Sequence, residues 1–156
     1  HRRGPFHGGR TRQRRARSCP RAKDVSAGLD TSVTLRLLTG VSTEQATAAR
    51  EFVAASPSPV VISDLVIAET YFALRHHYEV PHADAVRTLL ALVSDSHFRT
   101  TGVARAVLAD ASTRSVAKSQ PGFIDRLIHA DYDRDTLRVV TFDRALGKLE
   151  GAQVLA

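Results

Sequence analysis

The sequence predicts an α/β domain with a mostly parallel sheet. Short β-branched runs alternate with segments of helical spacing. The 156 residues suit one domain able to bury a real core. Hydrophobic residues at 43% and charged residues at 24% are near globular averages.

Residues 25–29 read as a first, weak strand that ends at Asp30, and Gly28 weakens it further. Residues 31–38 read as a helix with Val33, Leu35, Leu37 and Leu38 apolar and Gly40 as its stop. Ser42 or Thr43 suits the cap of a second helix, 43–55, with Glu44 in its first turn. Ser-Pro-Ser-Pro at 56–59 is a loop, and Val60-Val61-Ile62 a short buried strand. Ser63 or Asp64 caps a helix reaching roughly Tyr78, on which Leu65, Ala68, Phe72 and Arg75 follow helical spacing. Pro81 opens another helix with Ala85, Leu89, Leu92 and Val93 on its apolar side. Further helices are expected over 103–116 and, after the Pro121-Gly122 break, over 123–132. Residues 137–142 read as a strand, 144–149 as a short helix and 153–155 as a last strand.

Charge divides the chain in two. Residues 1–23 hold nine Lys/Arg and no Asp or Glu; the other 13 basic and all 16 acidic residues follow, so 24–156 carries −3 although the whole chain carries +6. The first segment is rich in Arg, Gly and Pro, with Phe6 its only large apolar residue, and is expected to be a disordered basic tail. It reads either as a phosphate-contacting arm or, because the chain holds no Met, as an extension from a start placed too far upstream, with Val25 the true start. Cys19 is the single cysteine, which excludes an intrachain disulfide and a Cys-based zinc cluster. The longest apolar run, 89–93, is too short to span a bilayer, and no apolar h-region opens the chain. A cytoplasmic protein that avoids membranes is the expectation.

Four acids stand out against this framework. Asp30 and Asp143 each follow a strand directly, at the carboxyl edge where α/β sheets bind ligands. Glu69 lies amid Leu65, Ala68 and Phe72, and Asp125 amid Phe123, Ile124, Leu127 and Ile128, so both read as acids embedded in apolar helix faces. Each has a purely structural use as well: Asp30 and Asp143 as helix caps, Asp125 as first-turn charge, Glu69 as a solvated helix residue. A shared hard cation would be a common reason for all four, since gathered carboxylates repel unless neutralised.

The residues around these acids resemble the motifs of PIN-domain proteins. Gly28-Leu29-Asp30-Thr31-Ser32-Val33 looks like the family's opening strand and helix, and Ile62-Ser63-Asp64-Leu65-Val66-Ile67-Ala68-Glu69 like its second motif. Gly122-Phe123-Ile124-Asp125-Arg126-Leu127-Ile128 looks like the third and Val139-Val140-Thr141-Phe142-Asp143-Arg144 like the fourth. The resemblance covers roughly 25–156, and in length and motif style it is to VapC-type toxins. It implies a three-layer α/β/α domain over 24–156 with a central, mostly parallel sheet. It further implies a Mg2+- or Mn2+-dependent endoribonuclease that acts on RNA, is often a homodimer and is restrained by a cognate antitoxin protein. Carried over, Asp30, Glu69, Asp125 and Asp143 would form the catalytic acidic pocket, with Asp30 a metal ligand and Asp125 or Asp143 sharing the ion. Thr31, Ser32 and Thr141 would be supporting hydroxyls that orient a carboxylate or a metal-bound water.

Other readings stay open beside it. One is a different magnesium-dependent phosphohydrolase, although Asp30 is followed by Thr31-Ser32 and not by a second acid two residues on. The other is a non-catalytic binding module whose acidic pocket seats a basic peptide. Asp131-Tyr132-Asp133-Arg134-Asp135 fails as a calcium loop, since Thr136 and Phe142 stand where Gly and Glu belong. Arg36, Arg126 and Arg144 lie near candidate acids, as phosphate grips or as surface salt-bridge residues. His129, one turn after Asp125, reads as a partly exposed histidine.

Overall fold

A computed structural model describes residues 27–115, 117 and 119–155. The expected tail, 1–23, and the first residues of the expected domain lie outside the described residues.

The chain enters as strand β1 (Gly28–Leu29) and turns at Asp30 into helix α1 (Thr31–Thr39). Asp30 has extended backbone and its carboxylate accepts from Val33 N, satisfying one of the N–H groups a helix start leaves open. Gly40 ends the helix at φ 67°, the left-handed conformation that glycine adopts without strain. Helix α2 (Thr43–Ala55) follows; Ser42 precedes it without a side-chain cap bond, and the small residues Ala46 and Ala49 with Val53 form its buried face.

Strand β2 (Val60–Ile62) has Val60 and Ile62 buried and leads into α3 (Asp64–His76), two residues shorter than the sequence suggests. Helix α4 (His82–Ser94) buries Ala85, Leu89, Leu92 and Val93 as expected, together with Val86. Strand β3 (Phe98–Thr100) is an element the sequence reading does not contain. Helix α5 (Ala104–Thr113) buries Ala104, Val107, Leu108 and Ala111, the i, i+3, i+4, i+7 stripe of one helix face. Helix α6 (Phe123–Arg134) runs two residues further than expected. The expected strand 137–142 shortens to β4 (Val140–Thr141). The expected helix 144–149 is a single 3-10 turn, Leu146–Lys148, and the last strand is β5 (Gln153–Val154).

Every strand pair is parallel. The order is β1-β2-β3, with Leu29 opposite Ile62 and Ile62 opposite Thr100, and β4 pairs with β5 separately. Helices plus a parallel sheet are consistent with the expected three-layer α/β/α arrangement, although among the described residues the strands form two sheets. The core is one contiguous cluster of buried apolar side chains that runs from Leu29 through Ile62, Ile67, Leu89 and Leu108 to Leu127. No described helix is long and apolar enough to cross a membrane.

Helix α3 corrects the sequence reading. Its buried face is Ile67, Thr70, Ala73 and Leu74, while Leu65 is 79% and Phe72 55% exposed. Glu69 is therefore exposed and is not embedded in a buried apolar face. On α6, Phe123 and Leu127 are buried as expected, but Ile128 is exposed. Helix α3 carries two apolar stripes, and the one continuous with Ile62 through the short β2–α3 turn is the one that meets the core.

Candidate active site

The candidate site begins where β1 becomes α1. Asp30 Oδ1 accepts from Val33 N and from the Ser32 hydroxyl, both at 2.9 Å, and the same hydroxyl lies 3.1 Å from Oδ2. These contacts favour the ionised carboxylate, so the Asp30 carboxyl titrates below its ordinary range, with the Val33 N–H the larger cause and the Ser32 hydroxyl next. Asp30 is exposed, which leaves its outer lone pairs open to solvent.

Next to it, Thr31 donates its hydroxyl proton to Glu69 Oε2 on α3. That bond joins residues 38 positions apart and brings the first two acidic motifs to the same end of the β1–β2 pair. Both helices start directly from neighbouring parallel strands, so their first turns lie side by side above the carboxyl edge.

Asp125 is the third residue of α6, and its Oδ2 accepts from Gly122 N at 3.0 Å, the reach-back half of a capping box. Asp143 follows β4; its Oδ1 accepts from Ala145 N at 2.6 Å, and its own N–H donates to Thr141 Oγ1 at 2.9 Å. Thr31 thus touches a candidate acid's carboxylate, Ser32 touches Asp30, and Thr141 touches the backbone of Asp143. Among the described residues no three of His, Cys, Asp or Glu are grouped to hold one metal ion. Asp30 and Glu69 are linked through Thr31, whereas Asp125 and Asp143 are each satisfied at their own turn. Strand β4 is not hydrogen-bonded to β1, so pairing does not draw Asp143 toward Asp30.

A further acid shapes this end of the molecule. Ser63, and not Asp64, caps α3, accepting from Val66 N at 3.3 Å. Asp64 is released to cap α5, accepting from Val103 N at 2.7 Å and Ala104 N at 3.2 Å. A Cβ on Gly102 would stand 2.2 Å from Asp64 Oδ2, so a side chain there would push the Asp64 carboxylate out of its place at the start of α5. The adjacent Ser63-Asp64 pair is the sequence signal for this double use: one cap residue suffices for α3, and the second is free for another helix.

Cations lie around the acids without closing on them. Arg36 donates Nε to Gln45 Oε1 at 2.7 Å, and Arg126 donates Nε to Pro121 O at 3.3 Å. His129 does not reach back to Asp125; its Nε2 donates to Glu150 O at 2.6 Å and ties α6 to the C-terminal segment. Sequence spacing also gave no sign that Tyr71 Oη and His82 Nδ1 meet at 2.8 Å on facing helices.

A parallel α/β domain with acids at the ends of its strands belongs to the broad class of proteins that act at a sheet's carboxyl edge. The PIN domain model matches residues 28–152, and the chain belongs to the PIN-domain family. No curated protein matches it. PIN domains are generally nucleases and typically use divalent metal ions. The donor chemistry present, carboxylate oxygens and hydroxyls with an ionised Asp30 at the surface, fits a hard cation of that kind.

Proposed function

We propose that this chain is a Mg2+- or Mn2+-dependent endoribonuclease and the toxin of a toxin–antitoxin pair. The observation that carries the reading is the Thr31–Glu69 bond, which unites the Asp30 turn with the helix bearing the second acid. Asp30 would hold the ion, with Asp125 or Asp143 sharing it and Glu69 completing the acidic pocket. The ion, when bound, supplies a nucleophile at neutral pH and neutralises charge on the phosphodiester.

The chain's own residues do the positioning. Ser32 and the Val33 N–H fix the Asp30 carboxylate in one orientation and keep it ionised. Thr31 holds Glu69 toward the same edge. Thr141 secures the Asp143 turn through its backbone N–H. A cognate antitoxin with a basic segment would block such an acidic edge, and a homodimer is the proposed assembly.

Purified Asp30→Asn protein is expected to lose at least about 100-fold in magnesium- or manganese-dependent RNA cleavage. Cleavage equal to wild type sinks the mechanism. Expressed without a partner, the wild type should arrest growth and Asp143→Asn should not.

A second reading has its own support: three of the four acids make helix-cap or turn bonds, which a non-catalytic module of the same fold would also need. Melting with and without Mn2+ separates the two, because only the nuclease reading expects the ion to raise the melting temperature and Asp30→Asn to abolish that rise.

A further inference from the structure

Beside α3, a cavity of about 170 Å3 opens between α3, α4, α5 and α6. Three guanidinium groups line it: Arg75 from α3, Arg114 at the end of α5 and Arg126 from the first turns of α6, with Tyr71, His82 and Gly122 beside them. Among the described residues no Asp or Glu lines it. We propose that this cavity is a phosphate-binding pocket for a nucleotide, either free or part of an RNA strand.

The argument rests on how the three cations are held. Arg114 is neutralised by Asp110, Nε to Oδ2 at 2.6 Å. Arg75 donates Nη1 to Val80 O at 2.7 Å, and Arg126 donates Nε to Pro121 O, so each is aimed by a backbone carbonyl. Among the described residues neither forms an ion pair with a carboxylate. Both are only partly exposed. A half-buried guanidinium with no anion in direct contact is costly, more so for Arg75 than for Arg126, which also feels the charge of Asp110, and each keeps N–H donors beyond the one it uses. Guanidinium groups that line one concave site suit the oxygens of a phosphate, which such groups grip through paired hydrogen bonds.

Two further features favour a built pocket. Tyr71 Oη and His82 Nδ1 are hydrogen-bonded, and the Tyr71 ring packs on Phe123 with centroids 4.6 Å apart, so its wall is fixed before any ligand arrives. The Gly122 N–H is already taken by Asp125, so the guanidinium groups and not the α6 terminus supply the binding. Residues 24–156 carry −3, and this cavity is a place where that acidic domain gathers arginines from separate elements.

The pocket itself does not depend on the nuclease reading; its use by an RNA strand does. Binding is therefore measured on the full chain, in EDTA and at constant ionic strength, by amide NMR and thermal shift. The probes are inorganic phosphate, adenosine 5′-monophosphate, adenosine and a short RNA.

Phosphate and the monophosphate should give saturable shifts at Gly122, Phe123 and Arg126 and raise the melting temperature, whereas adenosine should do neither. Arg126→Gln should weaken binding about tenfold and Arg75→Gln by a similar factor. Arg87→Gln, a surface residue paired with Asp84, should leave it unchanged. If Arg75→Gln fails to fold for want of its Val80 bond, Arg126→Gln and the wild-type shift map still decide. Absence of saturable shifts at millimolar ligand, equal response to adenosine, or full binding by Arg126→Gln would overturn the proposal. RNA binding more than about tenfold tighter than the monophosphate, with the gain lost in Arg126→Gln, assigns the pocket to the strand. Equal affinities assign it to a free nucleotide. Loss of cleavage in Asp30→Asn with phosphate binding intact separates this pocket from the acidic edge.

Discussion

The sheet of β1, β2 and β3 and the segment 137–155 use the same local device, a short strand that runs into an aspartate and a turn of helix. They hold it differently. Around Asp30 the strand pair is backed by Leu29, Val60 and Ile62, all buried in the contiguous core, and α1 is a full helix. Around Asp143, Val140 is exposed, Phe142 is 76% exposed, and a single 3-10 turn follows. The core cluster and the side chains packed on it include nothing after Ala130. The second region is tied on by a few contacts: buried Val139 and Leu146, the His129–Glu150 bond, and Lys148 donating to Ser119 O. A cap bond can be equally good in both places, but only burial of the strand behind it fixes where the acid stands. The acid linked to another motif is correspondingly the one in the well-packed half.

The largest test of that contrast is truncation of each half. Leu89→Ala, which empties a fully buried position, should cost about 2–5 kcal/mol by denaturant unfolding. Phe142→Ala should stay within about 0.5 kcal/mol. Comparable losses at both would mean that the two regions are equally packed.

A smaller effect sharpens the role of the acids. Asp64→Ala removes the partner of the Val103 and Ala104 N–H groups and should cost about 1–2 kcal/mol. An unchanged melting temperature would show that α5 does not need this cap.

The smallest effect is in pH. The Asp30 carboxyl titrates below its unfolded value, so its contribution is fully present above the ordinary carboxylate pKa and fades as pH falls through the lowered folded one. Melting temperatures compared between about pH 5 and about pH 2 should converge for wild type and Asp30→Ala at the acid end. A constant gap across that range would remove Asp30 from the acid limb.

Much of this was legible from the chain. Helix starts and stops followed local chemistry: Asp30 and Ser63 as caps, Gly40 as a stop, Pro81 before α4. The apolar side of α4 came out right because that helix has one apolar stripe. Strand β3 escaped because Phe98-Arg99-Thr100 has one large apolar residue and gains its conformation from pairing with β2. Helix α3 was turned the wrong way because Leu65, Ala68 and Phe72 and the Ile67–Leu74 stripe are equally periodic. The four acid positions could be picked out by the residues flanking them, but not the partners they take.

By itself the sequence determined the α/β alternation, the parallel pairing and the helix starts, because periodicity and capping are properties of a few neighbouring residues. Tertiary structure alone decided which stripe of α3 is buried, that Thr31 reaches Glu69, that Asp64 caps a helix forty residues away, and that arginines from separate helices line one cavity. Those facts depend on how strand–helix units pack against one another, and no local spacing encodes that distance.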